Sequence, residues 1–117
     1  MLSWLRRLVG RKPLLVIGAG KLPEGQSKRI AVGDPFADGK ELILARVGGK
    51  LCAVDRKCPH EAAGRISDGP LHEGRYVMCP LHNYKFDAAT GRAEAGACKN
   101  AKLYRVREID GNAEIDV

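Results

Sequence analysis

The chain has 117 residues, 44% of them hydrophobic and 29% charged, with a net charge of +6. This is one domain's worth of chain, and its composition excludes disordered, collagenous and low-complexity classes. The positive charge is dispersed rather than blocked, and three Tyr, two Phe and one Trp offer few stacking platforms, so an acidic protein surface fits better than nucleic acid.

The N-terminal MLSWLRRLVGRKP (1–13) mixes apolar residues with Arg6 and Arg7. Arg11, Lys12 and Pro13 interrupt it before a signal-peptide core forms, and no apolar run in the chain approaches the length of a membrane span. A basic amphipathic segment touching a membrane or partner is one reading. The plainer one, adopted here, is a short helix or arm packed on the domain, with the cytoplasm as the expected location.

From there, short strand-like runs follow one another. PLLVIGAG (13–20) is apolar and ends in glycine, and KLPEGQ is a turn signal. SKRIAVG (27–33) alternates as a half-buried strand does, and DPFADG (34–39) is a loop. KELILARV (40–47) and KLCAVDR (50–56) flank Gly48-Gly49, which predicts a two-residue hairpin. Residues 57–74 are rich in Gly, Pro and charge and are too irregular for a helix. RYVMCP (75–80) is a strand. NYKFDAATGRAEAG (83–96) reads as a hairpin turning at AATG, and AKLYRVREIDGNAEIDV (101–117) as another with DGN at its tip. Regular short strands with turn residues between them predict an all-β sandwich or barrel. GAGKLPEG lacks the spacing of a dinucleotide loop, and Ser3, Ser27 and Ser67 sit in no nucleophile elbow, so no catalytic residue is assigned.

The chemistry lies in the cysteines and histidines. Cys52, Cys58, Cys79 and Cys98 would suit two disulfides in a secreted protein, but metal binding or redox chemistry is the better expectation inside a cell. Cys58 and His60 form a Cys-x-His pair, and Cys79 and His82 a Cys-x-x-His pair. Two thiolates and two imidazoles from two loops make a complete donor set. Zinc would take all four tetrahedrally. A mixed-ligand 2Fe–2S cluster would take two cysteines on one iron and two histidines on the other. Each loop then gives one ligand to each iron, which explains why the pair occurs twice. Prolines after both cysteines stiffen the loops. His72 has no cysteine neighbour and reads as an ordinary histidine.

CPH (58–60) and CPLHNYKFD (79–87) resemble the two cluster-binding boxes of Rieske iron–sulfur proteins. The resemblance spans roughly 14–117 and includes ELILARVGGKLCAVDRKCPH, FDAATGRAEAG and LYRVREIDGNAEIDV. It implies an all-β fold of stacked antiparallel sheets: one domain, 1–117, with a small cluster-binding subdomain at about 55–98. It implies a Rieske 2Fe–2S cluster, with Cys58 and Cys79 on the buried iron and His60 and His82 on the outer one. The free imidazole edges would be the electron port, and electron uptake would couple to proton uptake.

Departures from the family pattern refine this. Respiratory members carry a disulfide between the boxes, where this chain has Ala63 and Leu81. High-potential members carry Ser and Tyr hydroxyls at the places held here by Tyr84 and Phe86. Fewer donors stabilise the reduced cluster less, so the expected potential is near the low end of the Rieske range, ~−150 mV. Asn83 replaces a usual glycine, the linker between the boxes is slightly long, and GACKNA lacks the prolines of a typical covering loop. Cys52 and Cys98 read as small buried hydrophobes, with Cys98 in the covering loop.

A second, catalytic domain is not expected within these 117 residues. The expectation is therefore a non-enzymatic, ferredoxin-like electron carrier, monomeric when free, passing electrons from a reductase to a terminal oxygenase. Lys57, Arg65, Lys85 and Arg92 are candidates to steer docking on an acidic partner. The alternatives are a small subunit of a larger oxidoreductase such as nitrite reductase and, in a different class, a zinc-bound structural module.

Overall fold

The computed structural model describes residues 13–32, 40–60 and 63–117. The expectations for the segment before Pro13 and for the DPFADG loop lie outside the described residues. Among the described residues ten strands run in chain order: β1 Leu14–Val16, β2 Gln26–Val32, β3 Lys40–Val47, β4 Lys50–Asp55, β5 Ser67–His72, β6 Tyr76–Cys79, β7 Tyr84–Asp87, β8 Leu103–Tyr104, β9 Val106–Ile109 and β10 Asn112–Ile115. They form a three-stranded sheet, β1-β10-β9, and a seven-stranded one, β7-β6-β5-β2-β3-β4-β8. These strands pair antiparallel, as the all-β reading expects.

β3 organises the molecule. Leu42, Ile43, Leu44 and Ala45 are all buried, so this strand has no solvent face. Side chains alternate along a strand. Ile43 and Ala45 therefore enter one core, with Val54, Ile66, Val77, Phe86, Cys58 and Cys79. Leu42 and Leu44 enter another, with Leu51, Ala53, Ala113 and Ile115. The second core lies against the small sheet, and the first carries both boxed cysteines. The β3–β4 hairpin closes with Val47 opposite Lys50, and Gly48 and Gly49 take φ of 60° and 80°. These are values a primed two-residue turn requires and glycine adopts without strain.

The 57–74 stretch holds no helix among its described residues, as expected, but it does contain a strand, β5. SDGPLH carries Gly and Pro and buries only Leu71, so it shows no strand pattern. Its order comes from neighbours: Ser27 Oγ donates to the Gly69 carbonyl at 2.7 Å, and Arg29 N–H donates to Asp68 at 2.8 Å. The 83–96 hairpin has only one true arm. β7 is regular, but the return is a single bridge from Phe86 to Ala93 before the chain coils into a 3-10 turn at Glu94–Gly96.

Asp87 explains that turn. Its buried carboxylate accepts N–H bonds from Ala89 at 2.8 Å and Thr90 at 3.3 Å and pairs with Arg75. Burial by itself raises its pKa; Arg75 and the two N–H donors outweigh that and hold it below the usual carboxylate range. A folded pKa below the unfolded one contributes stability above the unfolded value, lost as pH falls through the folded one. Asp87→Ala is expected to lower unfolding free energy by about 2 kcal/mol at pH 7. Urea titrations should show the gap to wild type closing below about pH 4; a gap constant with pH would refute the ionised role.

Among the described residues, no helix is long and apolar enough to cross a membrane.

Candidate metal centre

The first box leaves the end of β4. Arg56 fixes its base: its N–H donates to the Glu41 carbonyl at 3.0 Å, its guanidinium bonds the Glu41 carboxylate at 2.9 Å, and its Nε donates to the Ile66 carbonyl at 3.2 Å. Lys57 bridges Arg65, and Cys58 N–H donates to the Gly64 carbonyl at 3.2 Å. The loop therefore leaves and returns at one place, which pins Cys58 while His60 projects beyond it.

The second box is the turn between β6 and β7, closed by Cys79 opposite Tyr84. Asn83 takes φ 60°, the left-handed region. That accounts for an asparagine where the family favours glycine, because asparagine tolerates this conformation better than other side-chain-bearing residues. Backbone N–H groups of Leu81 and His82 point at the Cys79 sulfur; burial raises its pKa and these donors oppose the rise.

The two boxes bring four predicted side chains together. Cys58 and Cys79 are 3% and 1% exposed, and their thiols contact one another. His60 and His82 are exposed, with ring centroids 5.4 Å apart. Sulfur lies inside and nitrogen outside, so the donor set is layered. Among the described residues no three His, Cys, Asp or Glu side chains gather as a single ion needs. Two donors per metal is the arrangement a two-iron cluster asks for, and the residues present fit that group better than one zinc.

Other sequence candidates fall elsewhere. His72 is exposed at the far end of β6 from Cys79, opposite Tyr76. Ala63 and Leu81 are exposed, and no disulfide joins any of the four cysteines. Cys52 and Cys98 are half-buried rather than buried, and both pack on the core that holds Cys58 and Cys79. Burial pushes the Cys52 thiol up to about 11, so it is inert at neutral pH. Lys57 and Arg65 flank the first box, whereas Lys85 is half-buried on β7 and Arg92 lines a separate cavity with Arg75 and Asp87.

Two features were not anticipated. The Tyr84 ring stands edge-on to His60 at 4.3 Å, across the two boxes. Gly91 has φ 76°, and a Cβ there would lie 2.5 Å from the Ala101 carbonyl oxygen. Ala101 N–H in turn donates to the Gly91 carbonyl at 2.7 Å, so this glycine anchors the end of the covering segment. The AATG turn was the available signal for it; the contact with Ala101 is tertiary.

Comparison with known proteins gives the family. Residues 12–109 match the model of the Rieske [2Fe-2S] domain. The chain is 46% identical over 92 residues to the naphthalene 1,2-dioxygenase system ferredoxin component of Pseudomonas aeruginosa, covering 78% of this chain and 81% of that one. It is similar in structure to the ferredoxin of carbazole 1,9a-dioxygenase from Nocardioides aromaticivorans IC177, with TM-score 0.72, 26% identity, and 90% and 97% of the two chains covered. A putative nitrite reductase small subunit from Mycobacterium tuberculosis shares the fold at TM-score 0.65 and 19% identity, over 92% of this chain and 96% of that one.

Proposed function

We propose that this chain, which belongs to the Rieske [2Fe–2S] domain family, is a one-electron carrier taking electrons from a reductase and delivering them to a terminal oxygenase. Its cofactor is a Rieske 2Fe–2S cluster, which when bound supplies a one-electron couple. Cys58 and Cys79 are the thiolate ligands of the inner iron, and His60 and His82 the imidazole ligands of the outer one. The observation that carries the reading is the layering of the donor set: two buried sulfurs beneath two exposed imidazoles.

The exposed ring edges of His60 and His82 present the redox centre to a partner, while the buried side is shielded by Phe86, Val77 and Ile66. Relatives named as ferredoxin components of dioxygenase systems support electron exchange as the role of the site. Residues 55–98 act as the cluster-holding part of a single domain. The potential is low, ~−150 mV, because Phe86 brings no hydroxyl to the thiolate side. Cytoplasmic residence and a free monomer belong to the same reading, since thiolate ligands need a compartment that keeps cysteines reduced.

The test is iron and sulfide analysis of the purified protein, with electron paramagnetic resonance after dithionite reduction. Equal iron and sulfide with a rhombic Rieske signal is expected. A colourless, zinc-only protein without that signal would overturn the proposal.

A further inference from the structure

The end of the large sheet from which the first box emerges is strongly basic. β3 begins there, β4 ends there and β8 begins there. Leu42 lies opposite Asp55, and Lys40 and Lys57 each stand two residues beyond that pair, at the same end of the sheet. Lys102 adjoins Asp55, whose N–H donates to the Lys102 carbonyl at 2.8 Å. Lys99 follows Cys98, which packs on the core of Cys58 and Cys79. Lys57, Lys99 and Lys102 are exposed and Lys40 is half-buried.

Little described negative charge opposes them. Asp55 is half-buried, and its carboxylate accepts the Tyr104 hydroxyl at 2.7 Å and the Lys57 N–H at 2.8 Å. Lys40 and Lys102 lie over the Tyr104 ring, at 5.2 and 5.0 Å from its centre. Glu41 is already matched by Arg29 and Arg56. Glu94 stands at the other end of the covering segment, beside Arg75 and Arg92. The four lysines thus form a positive shoulder at the sheet end from which the box carrying His60 emerges, while Leu81, 50% exposed and next to His82 in the chain, supplies an apolar point of contact.

We propose that this shoulder selects acidic protein partners: the surfaces that meet the histidine edges carry carboxylates opposite Lys57, Lys99 and Lys102. The inference rests on the electron-carrier reading and deepens it. An apolar contact with a charged rim is the usual anatomy of a transient interface. Complementary charge there raises association rate and sets partner choice. A lipid surface held by the same lysines would cover the port, which argues for protein.

The test is stopped-flow reoxidation of the dithionite-reduced holoprotein by two chelates of opposite charge. The iron(III)–EDTA anion takes one electron and becomes iron(II)–EDTA; tris(phenanthroline)cobalt(III) takes one and becomes cobalt(II). The rate with the anion is expected to fall about tenfold from low salt to ~0.3 M, and that with the cation to rise. Lys57→Glu/Lys99→Glu should slow the anion and speed the cation. Lys21→Glu/Lys28→Glu, the same charge change away from that sheet end, should do little. Equal effects of the two pairs, or salt-independent rates, overturn the proposal. So does binding of wild type to phosphatidylserine vesicles that the shoulder variant abolishes. If the Glu pair loses the Rieske signal, Lys57→Gln/Lys99→Gln replaces it. A wild type without a Rieske signal would defeat the carrier reading itself; an intact signal with the wrong salt response defeats only the shoulder.

Discussion

Replacing His82 or His60 with alanine is expected to reduce the Rieske resonance signal to background while leaving the strand framework intact. Each substitution removes one of the two nitrogen donors proposed for the outer iron. Losing even a group that only supports a metal ligand costs roughly 10–100-fold in affinity, and losing the ligand itself costs more. Both rings are exposed, so neither holds the core together. Far-ultraviolet circular dichroism of the variants should therefore stay close to wild type. His60→Ala also removes the edge-on contact with Tyr84 at 4.3 Å, so it should be slightly the less stable of the two. His72→Ala is the control, since His72 lies at the far end of β6; its signal should match wild type. A Rieske signal that persisted in both His60→Ala and His82→Ala would show that the outer iron has other ligands.

The candidate donor set can be proposed from sequence because its information is local. Cys-x-His and Cys-x-x-His put each pair on one loop, so spacing proposes a metal site, and the resemblance of the two boxes selects the cluster. The β3–β4 hairpin is legible for the same reason, since Gly48-Gly49 dictates the turn wherever it occurs. The burial of LILA on both faces is half legible: four apolar residues in a row exclude a solvent face but do not say which core each residue enters. What escapes the sequence is tertiary. β5 exists because β2 and β6 pair with it, against the propensity of SDGPLH. Arg46 reads as an ordinary exposed charge in KELILARV. In the fold it donates to the carbonyls of Leu22 and Gly20 at 2.7 and 3.1 Å and to both carboxylate oxygens of Glu108 at 3.0 and 3.1 Å. Its partners lie up to 62 residues away, beyond any local pattern. The basic shoulder is hidden in the same way. Lys40, Lys57 and Lys102 look dispersed along the chain, and only strand register gathers them.

Phe86 separates stability from potential. It is fully buried, in one core with Cys58 and Cys79. Phe86→Ala leaves a cavity beside both thiols and should lower unfolding free energy by about 3–5 kcal/mol, read by urea titration of the holoprotein. Phe86→Tyr keeps the ring and adds one hydroxyl at the place where the resemblance puts a donor in high-potential members. A hydrogen bond to the thiolate side favours the reduced, more negative state over the oxidised one. A preference of about 1 kcal/mol corresponds to roughly 40 mV for a one-electron couple, since 59 mV is a factor of ten. Phe86→Tyr is therefore expected to move the midpoint upward by tens of millivolts in spectroelectrochemical titration. The alternative is a hydroxyl buried without a partner, which costs about 1–3 kcal/mol in stability and leaves the midpoint where it was. That outcome would mean that the missing hydroxyl at residue 86 is not what sets the potential, and the cause would have to lie with Tyr84 or with the backbone donors of the second box.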